Sequence, residues 1–125
     1  MDMKSSQAVT ALIRLLEARA DDAVKQFIDK NRPDEAVLRE IFVYAARKNC
    51  PQLLQYFLDR GTDVNSRNKD GRTALMSAAA NGHLDIVKML IEKGGDKKIA
   101  DNDGMTALRY AVANERDEIA RLLKA

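Results

Sequence analysis

The chain is 125 residues long, 46% hydrophobic and 32% charged, and its 21 basic and 19 acidic residues leave a formal net charge of +2. That balance fits one soluble helical domain, and bulk charge names no partner. Cys50 is the single cysteine, which excludes an intrachain disulfide and fits a reducing compartment.

Met1 to Thr10 lack an apolar core flanked by basic residues and a small-residue cleavage site. Nowhere do about 18 apolar residues run together, so neither leader nor membrane span is read. Cytoplasmic residence is the expectation, and export is the alternative if a leader has been removed. Leu12, Leu15 and Leu16, followed by Ala23, Val24, Phe27 and Ile28, predict a first helix pair. Asn31-Arg32-Pro33-Asp34-Glu35 reads as a plain loop in which Asp34 caps a helix beginning near Glu35. Phe42, Ala45 and Ala46, then Leu53, Leu54, Phe57 and Leu58 up to Gly61, predict a second pair, with Asp63-Val64-Asn65 as the connection that follows.

Lys69-Asp70-Gly71-Arg72 is a turn, because an Asp-Gly pair tolerates positive φ. Thr73 then caps a short helix to Ala80, and Asn81-Gly82-His83 breaks it. Leu84 to Lys93 forms the next helix, with Leu84, Val87, Leu90 and Ile91 on one stripe and Asp85, Lys88 and Glu92 toward water. Gly94-Gly95 ends it where a left-handed cap is needed. In the last pair Glu115, Arg116, Asp117, Glu118, Arg121 and Lys124 surround Ile119, Leu122 and Leu123, the polarity expected of a terminal unit.

These elements repeat. Gly71, Thr73, Ala74, Leu75 and Ala78 return 33 positions later as Gly104, Thr106, Ala107, Leu108 and Ala111, and Ile86 and Leu90 return as Ile119 and Leu123. One step back gives Ala45, Ala46, Leu53, Phe57, Gly61 and Asp63; the first pair is offset by 30 instead. A unit of this period cannot bury its apolar face alone and stacks on its neighbours. The expected fold is an all-α solenoid of four stacked helix pairs in a single domain, 1–125. Its parts are a degenerate N-terminal capping pair (5–33), a repeat (34–67), the clearest repeat (68–100) and a C-terminal capping repeat (101–125).

Residues 70–96, from Asp70-Gly71-Arg72-Thr73-Ala74-Leu75 to Gly94-Gly95-Asp96, closely resemble the ankyrin repeat. The agreement is good over 61–125, fair over 36–60, and one of apolar pattern alone over 5–30. Two tetrapeptides depart from the family's Thr-Pro-Leu-His, namely Thr73-Ala74-Leu75-Met76 and Thr106-Ala107-Leu108-Arg109, so helix starts that fray more easily are expected. Lys97-Lys98 also puts charge where the earlier connection has Val64-Asn65. The resemblance implies antiparallel helix pairs with short β-hairpin or turn fingers that together form a concave groove, and a protein that binds another protein. Carried over by position, the contact residues are Arg47, Lys48, Arg67, Lys69, Asp70, Arg72, Ala80, Asn81, Asn102, Asp103, Met105, Ala113 and Asn114. Tyr110, equivalent to Tyr44 two units earlier, is added as an anchor.

Catalysis needs converging groups. His83 is the single histidine, a turn residue in Gly-His-Leu, and with one histidine and one cysteine the chain offers no conventional zinc site. Cys50, with no second histidine as a dedicated base, reads as packing. The expectation is no enzyme activity and no cofactor, against a rival in which Cys50 or His83 is catalytic. Arg47, Lys48, Arg67, Lys69 and Arg72 would face only Asp70 and Asp103, a positive groove that steers an acidic partner surface; the plainer alternative is solvated helix ends. Nucleic acid is disfavoured at 5% aromatic content. The functional expectation is a binding module, monomeric when unbound, that inhibits an enzyme by covering it as an immunity or inhibitor protein would. A fragment of a longer array or an engineered scaffold without a partner is the alternative.

Overall fold

In the computed structural model, which describes residues 4–125, the repeats become four helix pairs. The start of the Met1–Thr10 stretch lies outside the described residues. The first helices are α1 (Ser5–Glu17), α3 (Glu35–Arg47), α5 (Ala74–Ala80) and α7 (Ala107–Ala113). Their partners are α2 (Asp21–Asn31), α4 (Pro51–Asp59), α6 (Leu84–Glu92) and α8 (Asp117–Lys124). Each pair is joined by a three-residue loop, which forces its helices antiparallel. α1 packs on α3, α3 on α5 and α5 on α7, so the first helices form one continuous layer. The fold is an all-α repeat solenoid.

Polar side chains set the helix starts. Asp34 accepts from the Val37 N–H at 3.1 Å, Thr73 from Met76 at 3.3 Å and Thr106 from Arg109 at 3.2 Å. The altered tetrapeptides therefore keep the threonine cap, and the expected fraying finds no support at these starts. The loop between the helices of each pair requires one left-handed residue, and it is Arg19, Asn49, Gly82 and Glu115 in turn, with φ of 57°, 58°, 76° and 58°.

The core is aliphatic and continuous from Leu12 and Leu16 to Ile119 and Leu123. Ile86 and Ile119 are both buried, on helices that touch. On α6 the deepest residues are Ile86, Val87 and Leu90, while Leu84 and Ile91 are half-buried, so the stripe is rotated from the sequence expectation. Phe42 and Phe57 meet edge to face at 5.9 Å between centroids, and truncating either to alanine would cost about 3–5 kcal/mol.

The fingers are turns; no strand occurs among the described residues. The Asn68 N–H donates to the Arg72 carbonyl and the Asp101 N–H to the Met105 carbonyl, each at 2.9 Å. Successive fingers are tied together: Asn102 donates from its N–H to the Asp70 carbonyl at 3.0 Å and from its amide to the Lys69 carbonyl at 3.1 Å. The turn holding Lys97-Lys98 is formed as well. Asn65 donates to the Gly94 carbonyl at 3.3 Å and accepts from the Asp96 N–H at 2.7 Å, which anchors it to the preceding layer.

Candidate functional site

On the layer of first helices several repeats offer side chains to one point. There the C-terminal ends of α3, α5 and α7 and the start of α5 enclose a hollow of about 280 Å³, lined by Arg47, Arg72, Ala80, Asn81, Tyr110 and Asn114 over Met76 and Ser77. All six rim residues belong to the set read from the sequence. Asn81 and Asn114 each turn their amide back to a helix carbonyl, that of Ser77 at 2.7 Å and of Tyr110 at 2.8 Å, so their oxygens point outward as acceptors.

The remaining sequence-derived residues are dispersed. Lys48 lies beyond Arg47 in a separate hollow with Glu17, to which it is paired at 3.1 Å. Arg67 and Lys69 border a third hollow toward α1. Asp70 and Asn102 are joined at the finger tips, Asp103 is exposed on the last tip, Met105 is half-buried behind it, and Ala113 is exposed near the end of α7.

Asp101, which sequence reading passed over, organises this end of the face. It is buried, and its Oδ1 accepts the N–H groups of Asp103 and Met105, both at 2.9 Å. Its Oδ2 takes the Tyr110 hydroxyl and lies 3.7 Å from Arg72 Nε. Burial alone would raise the Asp101 carboxyl. The Tyr110 hydroxyl, the two N–H groups and the Arg72 charge outweigh it and hold it below its ordinary value. Arg72 also lies over the Tyr110 ring at 5.8 Å. The signal was available: Asn68, 33 positions earlier, holds its own turn in the same way by accepting from Asp70 and Arg72.

These contacts correct the expectation that the five cations face only Asp70 and Asp103. Asp70 and Asp103 are joined by Glu17 on Lys48, Glu40 on the Lys69 N–H at 2.9 Å, and Asp101 beside Arg72. Tyr44 bonds to Glu17, which is held low by that bond first and by Lys48 second. Arg47 is left with no carboxylate partner among the described residues. Val112, 57% exposed, was also missed; its equivalents Ala46 and Ala79 are fully buried, because a further layer covers them.

Cys50 is buried, burial pushes its thiol up, and Arg19 donates to the sulfur at 3.2 Å. A neutral, packed thiol is a poor nucleophile. His83 Nε2 donates to the Arg47 carbonyl at 2.8 Å and so ties two layers together. Among the described residues no cluster of His, Cys, Asp or Glu is arranged to hold a metal ion, and no helix is long and apolar enough to cross a membrane.

A family model described as ankyrin repeats in three copies matches residues 42–125. The chain is 44% identical over 46 residues to a probable E3 ubiquitin-protein ligase, XBOS33, of Oryza sativa, a match covering 37% of this chain and 9% of the relative. It is also 44% identical over 50 residues to ankyrin repeat domain-containing protein 49 of Bos taurus, covering 39% of this chain and 21% of the relative. The match to cortactin-binding protein 2 of Saimiri boliviensis boliviensis is 44% over 45 residues, 36% of this chain and 3% of the relative. Each match thus spans under a quarter of the relative's length.

Proposed function

Because the chain belongs to the ankyrin-repeat family, whose repeats are protein–protein interaction modules and generally non-catalytic, we propose that it binds a partner protein through its first-helix and finger face. The observation that carries this reading is the hollow where three successive layers bring Arg47, Arg72, Asn81, Tyr110 and Asn114 to one point. It offers one unneutralised cation, an aromatic ring and outward carboxamide oxygens, a combination suited to an anchor with an acidic or amide group. The face is prebuilt by interlayer hydrogen bonds, so little conformational entropy is lost on docking. The matched relatives bear different names, and each match is confined to a segment of about 45–50 residues.

The narrower form of the proposal is inhibition. A stacked module that grips a partner by a broad face acts by covering an enzyme's active site or interaction surface. The test is capture of partners on immobilised chain, followed by mixing the recovered protein with free chain and assaying its activity. Capture should fall at least about tenfold with Arg47→Glu or Tyr110→Ala and stay unchanged with Lys88→Glu on α6. Equal losses at Lys88 would sink the face assignment. Recovery of a partner whose activity the chain leaves unaltered would sink inhibition while leaving binding intact.

A further inference from the structure

We propose that the hollow between the N-terminal halves of α1 and α3 and the Arg67–Lys69 finger is a second docking site, which takes an apolar side chain from a partner segment whose neighbouring residues are acidic. It shares α3 and the first-helix face with the hollow of Arg47 and Tyr110, and so rests on the reading of that face as the binding face, but none of its lining residues belongs to that hollow. Its volume, about 520 Å³, is the larger of the two and suits the capture of a bulky side chain.

The floor is apolar, formed by Val9, Ala36 and Val37. Several of the polar groups around that floor are occupied within the protein. The Thr10 hydroxyl donates to the Ser6 carbonyl at 2.9 Å, and Ser5 donates to Asp34 at 2.8 Å. Glu40 is the one carboxylate in the lining, and it accepts the Lys69 N–H. Three cations stand on the rim: Arg39, Arg67 and Lys69. None of them forms an ion pair among the described residues. Arg67 spends its donors on two neutral carbonyls, of Gly71 at 3.1 Å and Ala100 at 2.6 Å, so its position is fixed while its charge stays uncompensated. An apolar floor under three cations without ion-pair partners among the described residues, one of them held in place, selects an apolar anchor and acidic flanks, and it repels a basic segment of the same apolarity.

The test is a titration of isotopically labelled full-length chain, followed by backbone amide shifts. The probes are three short acetylated peptides: alternating leucine and glutamate, alternating leucine and lysine, and alternating serine and glutamate. The leucine–glutamate peptide should shift the Thr10, Ala36 and Lys69 amides saturably and bind about tenfold more tightly than either counterpart. The double reversal Arg39→Glu with Lys69→Glu should weaken it by about as much. Ala36→Phe, at an exposed position outside the buried core, should abolish it by filling the floor. Arg47→Glu should change nothing here, so failure at this site and failure of the face reading are told apart. Equal binding of the leucine–lysine peptide, saturable shifts confined to Asn81 and Asn114, or the absence of saturable binding would each overturn the proposal. So would shifts at Thr10 and Ala36 on dilution of the protein alone, which would give the hollow to a second copy.

Discussion

His83 and Arg116 stand at equivalent positions one repeat apart, and each reaches back 36 residues to a main-chain carbonyl. His83 Nε2 bonds that of Arg47 at 2.8 Å, and Arg116 Nε bonds that of Ala80 at 3.4 Å. Two different side chains perform one interlayer contact, because what the carbonyl needs is an N–H donor of the right reach. His83→Ala should lower stability by about 0.5–1.5 kcal/mol, the net worth of one hydrogen bond. His83→Arg should restore most of it. Urea denaturation midpoints at constant slope check both, and an alanine variant as stable as the parent would show the contact to be incidental.

The last finger should confer a pH dependence with two arms. The Asp101 carboxyl is held below its ordinary 3.8, so its contribution to stability is full above that value and is lost as the pH falls through the lower folded one. The Tyr110 hydroxyl is pushed above 10.0, by burial first and by Asp101 second. Its contribution is full below 10.0 and is lost as the pH rises through the higher folded value. Tyr110→Phe should shrink the alkaline arm, to which Tyr44 and Tyr56 also contribute because burial pushes their hydroxyls up, shrink the acid arm and cost about 1.5–3 kcal/mol near neutrality, the range for a bond to a charged group. Denaturant melts across pH check this, and an unchanged alkaline arm would refute it.

Repetition made the layers readable, because equivalence at a fixed spacing needs no knowledge of contacts: Ile86 and Ile119 were paired by position and are buried alike. Local capping was legible at Asp34 and Thr73 from residue type and position, and the cap at Thr106 follows from its equivalence to Thr73. What stayed hidden are pairings set by the stack. Glu17 neutralises Lys48 across 31 positions, and Asp101 sits against Arg72 across 29. Neither spacing follows from the helix period or from the repeat, so the sequence presented these cations as free. The hollow over Val9 and Ala36 was concealed differently, since the first pair is offset by 30 and its surface could not be mapped by equivalence.

At the left-handed loop position, Glu115 carries a φ of 58° that an L side chain adopts at a cost, whereas its equivalent one repeat earlier is Gly82. Glu115→Gly should therefore stabilise the chain by about 0.5–1 kcal/mol after the added freedom of the unfolded state is deducted. Thermal or chemical denaturation reads the sign directly. A destabilised glycine variant would mean that the Glu115 side chain contributes more than its backbone strain removes.

Gly71 and Gly104 form a matched pair that separates backbone strain from collision, since both have φ of 78°. A Cβ on Gly71 would lie 2.5 Å from Asn102 Oδ1 and 2.9 Å from its main-chain nitrogen, while one on Gly104 would meet nothing within 4 Å. Gly104→Ala should cost about 1–2 kcal/mol, from the left-handed conformation alone. Gly71→Ala should cost clearly more and loosen the two Asn102 bonds, visible as faster hydrogen exchange at the Asn102 amide. Equal costs would show that the fingers move apart freely.

Association with the partner should depend on salt through some cations and not others. Lys48 is paired with Glu17 and Arg72 lies against Asp101, so each contributes a dipole to the distant field. Arg47 has no carboxylate partner among the described residues and contributes a full charge. Long-range steering acts on net charge and is screened over about 8 Å at physiological ionic strength. Arg47→Gln should therefore lower the association rate and flatten its dependence on salt, whereas the double change Lys48→Gln with Glu17→Gln, which removes the pair as a whole and leaves the net charge as it was, should leave the rate nearly unchanged. Arg72→Gln should act mainly on dissociation, because it removes the guanidinium from the Tyr110 ring at the centre of the hollow. Stopped-flow rates at several salt concentrations distinguish the three, and rates indifferent to ionic strength would remove charge steering from this face.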